Sequence, residues 1–237
     1  MLVAGAYGRL GSRVVALLLS RGHVVRALVR TDSQAAVLRD ACAVAVVADL
    51  RGDVEWTAEG CEAAVFTAAG RHRHELRSVD AGGAARLAEA AARYDLTRFV
   101  LASVVGADRP ERNEGVVREF LAAKQHAERR LGTLMMPWTI LRFGRLTEDA
   151  RNGRIDTVVR AGAPLTTSRD VAALAIADAL ERRHLARQVV WSTANNESPT
   201  PSTPSSRCRC PRLNRRTQAP RCRSAWLRPT TRPTIPR

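Results

Sequence analysis

Short apolar runs and amphipathic stretches alternate along the first 195 residues of this 237-residue chain. The apolar runs, which predict strands, are MLVAG, HVVRALVR, VAVVADL, AAVFTAAG, RFVLASVVG, WTILRFG and QVVWS. The stretches with apolar residues at helical spacing are GRLGSRVVALLLSRG, SQAAVLRDA, DAGGAARLAEAAARYD, EGVVREFLAAKQHAERRLG and SRDVAALAIADALERR. Nearly continuous apolar strands that alternate with helices are typical of a parallel sheet covered on both faces. The pattern therefore predicts an α/β domain with a doubly wound parallel sheet over residues 1–195.

Polar and glycine residues at the ends of these stretches predict where the helices begin and end. Gly22 is expected to stop the first helix, Ser33 to open the second and Ser168 to cap the last. Asp80 and Asp170 are expected to have structural roles at helix starts. Few residues follow WTILRFG before the composition changes, so only a small substrate lid is expected.

Residues 196–237 differ in composition from the rest of the chain. They hold eight of the 11 prolines, ten arginines and one acid, Glu197, and so account for most of the net charge of +15. Without a hydrophobic period, such a segment is predicted to be disordered. Its only aromatic residue is Trp226, which argues against a base-stacking platform and makes nucleic-acid binding an unfavoured role for this basic tail. Whether the tail is functional or results from out-of-frame translation stays open.

Several classes of protein are disfavoured by simple counts. The chain has no apolar run long enough for a transmembrane helix, and its N-terminus lacks the charged-then-apolar order of a signal peptide. A cytoplasmic protein that does not act on membranes, monomeric or homodimeric, is expected. The five cysteines form no C-x-x-C pair. His72 and His74 could ligate a metal, but a solvated loop is the favoured interpretation, and no metal is predicted.

The stretch VAGAYGRLG places Gly5, Gly8 and Gly11 three residues apart between the first strand and the first helix. A glycine at the first position lets the chain turn sharply, and one at the second lets the backbone approach a pyrophosphate. A glycine at the third position lets the helix pack closely on the sheet. The helix N-terminus then offers free N–H groups to the phosphates. The turn therefore predicts dinucleotide binding, although a purely structural tight turn would use glycine as well.

Arg30 stands where an acidic residue would bind the ribose of NAD, roughly 20 residues after the glycine turn. A guanidinium suits a 2′-phosphate, and Arg9 inside the turn supports the same choice. Asp32 is the counter-argument, although it is equally suited to the start of the following helix. NADP(H) is therefore favoured over NAD(H), with a solvated surface arginine as the alternative for Arg30.

With these motifs in order, the chain resembles the atypical short-chain dehydrogenase/reductases, a family of NAD(P)-binding Rossmann-fold proteins that includes epimerase-like and flavin or biliverdin reductase types. The resemblance covers about residues 1–195 and rests on GAYGRLG, ALVR, VVADL, VFTAAG, RFVLAS, FLAAK, TILRFG and TSRDVA. It implies a set of cofactor-binding residues: Gly5, Tyr7, Gly8, Arg9, Leu10, Gly11, Arg30, Asp49, Leu50, Ala68, Ala69, Gly70, Lys124, Arg142 and Gly144.

The resemblance also implies roles within this set. Asp49 and Leu50 would border the adenine, and Ala68 to Gly70 would lie where the cofactor crosses the sheet edge. Lys124 would bind the nicotinamide ribose, and Arg142 with Gly144 would flank the nicotinamide. Ser103 and Lys124 are the expected catalytic residues. Phe143 stands where the family usually has proline.

Two features concern the chemistry directly. Lys124 is the only lysine beside 37 arginines, which indicates a position where arginine fails, unless it is an exposed lysine retained by chance. Phe120 stands four residues earlier, where the family has the tyrosine that protonates the substrate, and Tyr7 and Tyr94 are not obvious substitutes. His126, two residues after Lys124, lies on another face of the helix and is not favoured as the proton donor. The resemblance therefore implies an NADPH-dependent reductase of a small flavin-, quinone- or carbonyl-type acceptor, or else a non-catalytic NADP(H)-binding sensor or regulatory protein.

Overall fold

The computed structural model of the protein describes residues 1–70, 72–148, 155–156 and 166–194. The strands are β1 (Leu2–Ala4), β2 (Arg26–Val29), β3 (Val44–Val47), β4 (Ala63–Phe66), β5 (Arg98–Val104), β6 (Trp138–Phe143), β7 (Arg145–Thr147), β8 (Ile155–Asp156), β9 (Thr166–Ser168) and β10 (Gln188–Ala194). The α-helices are α1 (Gly11–Ser20), α2 (Asp32–Asp40), α3 (Ala84–Arg93), α4 (Gly115–Gly132) and α5 (Arg169–Glu181). A π-helical segment, Leu76–Gly83, leads into α3.

Seven strands form a parallel sheet in the order β3-β2-β1-β4-β5-β6-β10, and β8 adds an antiparallel pairing beside β10. The strand order reverses direction at β1, so the carboxyl ends of β1 and β4 flank the switch point at which open α/β sheets bind ligands. This topology confirms the predicted doubly wound parallel sheet. A separate parallel pair, β7 and β9, was not predicted from the sequence.

The side chains of each central strand alternate between two apolar layers. Val3, Val65 and Val100 pack in the layer that contains α1, α2 and α5. Leu2, Phe66 and Phe99 pack in the layer that contains α3 and α4. The strand predicted from VAVVADL is present, but the expectation that such a nearly continuous apolar strand is buried is wrong for its outer positions. Because β3 is an edge strand, Val44 is 54% exposed and Val47 is 37% exposed.

Two of the three predicted helix signals are confirmed. Gly22 adopts a φ of +84° just after α1, and the Ser168 hydroxyl accepts a hydrogen bond from the Asp170 amide at the start of α5. The prediction for α2 is wrong by two residues. Thr31, not Ser33, caps this helix by accepting from the Gln34 amide at 3.3 Å.

The third predicted helix begins differently from the prediction. Asp80, expected at its start, lies inside the π-helical segment, and α3 begins only at Ala84. Gly83 lies where the segment passes close to Leu50, since a Cβ there would be 3.0 Å from the Leu50 Cβ. The wider π turn carries Asp80 into the core, where it is fully buried.

Some expectations fall on residues outside the described part of the chain. The tail, 196–237, is one of them, and most of the stretch expected to form the lid is another. Within the described ranges, no helix is both long and apolar enough to cross a bilayer.

Candidate functional site

The glycine turn lies at the switch point of the sheet, between β1 and α1. Gly5 has a φ of +80°, which disfavours other residues, and a Cβ there would lie 2.6 Å from the backbone nitrogen of Ala68. A Cβ on Gly11 would lie 2.1 Å from the Gly5 carbonyl oxygen. Gly5 and Gly11 are therefore required by the fold itself, because a side chain at Gly5 would meet the backbone that follows β4 and one at Gly11 would meet the turn.

Gly8 is less constrained by its protein neighbours. Its amide donates to the Gly5 carbonyl at 2.9 Å, and its missing Cβ would approach only that same oxygen, at 3.0 Å. Within the described part of the chain, no side chain caps the first turn of α1. A bare backbone loop leading into an uncapped helix N-terminus fits a pyrophosphate, which needs close approach and N–H donors. This part of the structure matches the group that the sequence predicts.

Beside the turn, Tyr7 is 46% exposed and Leu10 is buried in the core. Arg9 is exposed and lies 3.8 Å from a carboxylate oxygen of Glu148. Arg13 and Arg169 each contact the same carboxylate at 2.7 Å. Glu148 therefore joins the glycine turn to the segment after β7 and to the start of α5.

Arg30 follows β2 and faces the loop after β4. Its Nη1 lies 3.1 Å from Oε1 of Glu75, whose side chain is only 8% exposed, whereas the Arg30 side chain is 40% exposed. The His72 amide donates to the same carboxylate at 3.3 Å. Asp32, the counter-argument to NADP(H), lies in the first turn of α2. The guanidinium of Arg30 is thus at the sheet edge and accessible, with Glu75 beside it.

Asp49 and Leu50 follow β3. Arg51 donates to the Asp49 carboxylate through its side chain and its amide, and the side-chain bond lowers the pKa of Asp49. Leu50 is buried, and its carbonyl accepts from Arg86 Nε at 3.0 Å. Arg86 thereby holds the loop after β3 against the start of α3.

The loop that contains Ala68, Ala69 and Gly70 continues from β4 toward the π-helical segment. The Gly70 amide donates to Oδ2 of Asp80 at 2.7 Å, and a Cβ on Gly70 would lie 2.8 Å from the Glu75 Cβ. Asp80 therefore holds the loop after β4 in place, where sequence analysis gave it only a helix-start role.

Lys124, on α4, forms an ion pair with Asp80. Its Nζ lies 2.9 Å from Oδ1 of Asp80, and the two side chains are 6% and 0% exposed. The ammonium also lies 5.7 Å from the centroid of the Phe120 ring and 6.0 Å from that of Phe66. The interpretation of Lys124 as an exposed lysine retained by chance is therefore wrong. Phe120 packs against Leu76 and covers the lysine with a hydrocarbon ring.

Ser103 and Arg142 face each other on neighbouring strands and meet at one carboxylate from α4. Ser103 Oγ donates to Oε1 of Glu128 at 2.5 Å. Arg142 donates to the same carboxylate through Nε at 3.1 Å and Nη2 at 2.5 Å. All three residues are buried. Arg142 also contacts Asp108 at 3.3 Å and lies over the Trp191 ring at 5.4 Å.

Phe143 is the last residue of β6, and Gly144 follows it. The Gly144 amide donates to the Thr167 hydroxyl at 3.2 Å, which joins β6 to β9. Phe143, at the usual proline position, is fully buried in the layer of α1 and α5. Its ring fills the core beneath the sheet edge.

The candidate metal ligands His72 and His74 are both exposed. His72 and His74 stack with ring centroids 5.5 Å apart, and His74 lines an open groove of about 830 Å³ with His126, Arg73, Arg77 and other residues of α4 and the π-helical segment. Arg73 hydrogen-bonds the Glu119 carboxylate there and lowers the pKa of Glu119. In the described ranges, no three metal-ligating side chains come together.

Sequence reasoning missed Glu128 and Asp108 and undervalued Asp80. Glu128 carries a signal that was available, because it lies one helical turn after Lys124 on a face that is otherwise apolar. Asp80 carries a weaker one, an acid between the apolar and glycine residues of SVDAGG.

Comparison with known proteins agrees with this geometry. Residues 5–183 match the model of a family described as NAD(P)H-binding. An uncharacterized sugar epimerase of Bacillus subtilis (strain 168), YhfK, is 32% identical over 185 residues, which is 75% of this chain and 86% of the relative.

Solved structures show the same fold. A proposed NAD-dependent epimerase/dehydratase from Bacillus halodurans has a TM-score of 0.77 and 27% identity, covering 84% of this chain and 94% of its own. ChuY, an anaerobillin reductase from Escherichia coli O157:H7, has a TM-score of 0.72 and 20% identity, covering 84% and 98%. Because ChuY is only 20% identical, its similarity shows a shared fold alone.

Proposed function

The chain belongs to the NAD(P)H-binding family, and we propose that it is an NADPH-dependent reductase of a small conjugated acceptor of the flavin or quinone type. The observation that carries the proposal is the set of side chains around Lys124. Phe120 offers no hydroxyl, and the hydroxyl hydrogen of Ser103 is donated to Glu128. Among the described residues of the site, neither side chain can supply the proton that an alkoxide would need, so the proposed acceptor is one that takes its proton from water.

The bound cofactor would supply the hydride, and the chain's own residues would bind and orient the reactants. Gly8 and the uncapped start of α1 would receive the pyrophosphate. Lys124, anchored by Asp80, would direct its remaining N–H groups to the nicotinamide ribose. Phe120 would provide an apolar wall against which a flat acceptor could stack, which excludes water from the hydride path.

The preference for NADPH is supported by Arg30. A guanidinium forms two parallel hydrogen bonds with a phosphate, and Arg30 stands at the end of β2 where the adenosine ribose of a switch-point dinucleotide lies. Glu75 is its partner in the structure. A 2′-phosphate would compete with that carboxylate for the guanidinium, or share it.

An epimerase is the less favoured enzyme. Inversion of a sugar carbon through a ketone intermediate needs a group that removes the hydroxyl proton and later returns it, and Phe120 cannot do so. The same absence favours a second candidate, a protein that binds NADP(H) without catalysis and reports it to a partner. Retention of both Ser103 and Lys124, the residues that the resemblance implies for catalysis, supports the enzyme over this candidate.

The test is a titration of the full chain with NADPH and NADH, followed by turnover with lumiflavin and with menadione. Binding that favours NADPH, with oxidation of NADPH by either acceptor, is the expected result. Binding without turnover would select the sensor, and NADH binding alone would remove the proposed role of Arg30. If a folded chain bound neither nucleotide, both candidates would be wrong.

A further inference from the structure

The direction of the hydrogen bond between the Ser103 hydroxyl and Glu128 is fixed in the structure: the serine donates and the carboxylate accepts. The carboxylate of Glu128 forms an ion pair with Arg142, and both its oxygens receive hydrogen bonds from this permanently charged guanidinium. An ionised carboxylate only accepts hydrogen bonds. In the 2.5 Å contact between Ser103 Oγ and Oε1 of Glu128, the serine is therefore the donor.

The surroundings hold the hydroxyl in that orientation. Hydrogen bonds to a charged acceptor are roughly twice as strong as those between neutral groups, so a neutral carbonyl competes poorly with Glu128 for the serine hydrogen. Glu128 is 7% exposed, and Asp108 contacts Arg142 at 3.3 Å from the other side. A shift of this carboxylate would break its ion pair in the buried interior.

The lone pairs of Ser103 Oγ remain available. Across the described ranges of the chain, no donor is directed at this oxygen, which belongs to a residue 6% exposed at the carboxyl end of β5. A serine in this state recognises an N–H or O–H group and not a carbonyl oxygen. This is the reverse of the role that a substrate-polarising serine would have.

We propose that Ser103 accepts a hydrogen bond from an N–H group of the bound acceptor, and that Glu128 is the positioning residue that sets this polarity. The inference rests on the proposed reductase function and narrows its substrate class. An acceptor with a ring imide, lactam or pyrrole N–H, such as an isoalloxazine, fits the site. A quinone or simple ketone, which presents only oxygen acceptors, fits poorly.

A matched pair of acceptors isolates this hydrogen bond. Oxidised lumiflavin has a single N–H, at N3, and 3-methyllumiflavin lacks it. With NADPH as donor, the wild-type chain is expected to show a kcat/KM about tenfold higher for lumiflavin, because the methylated ring cannot make this one hydrogen bond between neutral groups. Ser103→Ala is expected to reduce that ratio to within twofold, and Ser20→Ala, an exposed serine on α1, to leave it unchanged.

A second variant tests the polarity itself. In Glu128→Gln, the side-chain amide can donate to Ser103, which frees the serine hydrogen for a ligand. The ratio of menadione to lumiflavin turnover is expected to rise about tenfold, whatever the absolute rates. A merely structural Glu128 would lower both rates by the same factor, and this result would overturn its positioning role. An unchanged lumiflavin ratio in Ser103→Ala would overturn the whole inference.

The carboxamide of the nicotinamide is another source of an N–H group. Affinities for NADP⁺ and for its 3-acetylpyridine analogue, which lacks that N–H, separate the two sources. A loss of NADP⁺ affinity alone in Ser103→Ala would overturn the assignment to the acceptor. If the wild-type chain binds NADPH but turns over no acceptor, the proposed function has failed. The lumiflavin pair is then compared by direct binding to the NADP⁺-loaded chain, and equal affinities would overturn the inference independently.

Discussion

The ammonium of Lys124 and the carboxylate of Asp80 form a buried ion pair, with Nζ and Oδ1 2.9 Å apart. The two residues come from α4 and from the π-helical segment before α3, so the pair joins the helices that cover one face of the sheet. Asp80 also accepts from the Gly70 amide. The single lysine of the chain is thus held between two helices and the loop after β4, in a space walled by Phe66 and Phe120.

Replacement of Asp80 by asparagine is expected to destabilise the protein and to weaken NADPH binding. The substitution leaves the Lys124 ammonium buried without its counter-charge, which costs about 3–5 kcal/mol in comparable cases. The Gly70 amide loses its acceptor only if the new amide group turns its nitrogen toward the loop, so the main effect is electrostatic. Urea denaturation measures the stability, and nucleotide fluorescence measures the affinity.

Asp40→Asn, at the exposed end of α2, is the matched control and is expected to change neither quantity. A double variant, Asp80→Asn with Lys124→Met, removes both charges. It is expected to recover part of the stability without recovering NADPH affinity, since the ribose-binding ammonium is gone. If the double variant bound NADPH as the wild-type chain does, Lys124 would have no role in the site.

The three glycines of the turn are expected to respond differently to alanine. Gly11→Ala places a Cβ 2.1 Å from the Gly5 carbonyl oxygen, so the variant is expected to unfold or aggregate. Gly8→Ala meets only a 3.0 Å contact and is expected to remain folded, while losing NADPH affinity at least tenfold because the Cβ enters the phosphate position. Circular dichroism and nucleotide titration on both variants check these outcomes.

Gly132→Ala, at the end of α4, is the control because, among the described residues beyond the adjacent backbone of its own helix, no atom lies within 4 Å of its would-be Cβ. It is expected to match the wild-type chain in stability within about 1 kcal/mol. Full NADPH affinity in a folded Gly8→Ala variant would mean that the turn serves the fold alone.

The sheet and the position of the glycine turn could be predicted because both depend on residues that are close together in the sequence. Continuous apolar runs and helical spacing fix the element types, and Ser168 caps α5 as expected. The cap of α2 was misplaced because Thr31 and Ser33 both carry hydroxyls, which lie 3.0 Å apart in the structure. Local sequence does not distinguish a cap from a residue in the first turn when both are of this type.

The polar interior of the site was beyond a local pattern. Burial of Asp80 depends on a π turn that packs close to Leu50, and burial of Glu128, on α4, depends on Arg142, which comes from β6. An acidic residue in a helix is normally expected to be exposed to solvent. Only a charged partner that is distant in the sequence allows it to be buried. The strands β7 and β9 could not be predicted for a different reason. Each has only three residues, which is too short to show an alternation of apolar and polar positions.

Arg30→Ser is expected to lower NADPH affinity about tenfold and to leave NADH affinity within twofold, because one charge-assisted contact with the 2′-phosphate is lost. Isothermal titration with both nucleotides measures the two changes. Arg39→Ser, in the last turn of α2, removes the same charge from an exposed position and is the control. Equal losses for both nucleotides would show that Arg30 acts through Glu75 on the loop and not on the phosphate.

Phe120→Tyr is expected to introduce reduction of simple carbonyl compounds, such as an aromatic aldehyde, at least tenfold above the wild-type rate. The new hydroxyl would extend from a ring whose centroid lies 5.7 Å from the Lys124 ammonium, and a nearby positive charge lowers the pKa of a phenol. Because the protonated phenol is the donor, the gained activity should decline as the pH rises through that pKa. Val117→Tyr, on the exposed face of α4, is the control. A folded Phe120→Tyr variant that binds NADPH but gains no carbonyl reduction would show that the absent acid is not what limits the acceptors of this site.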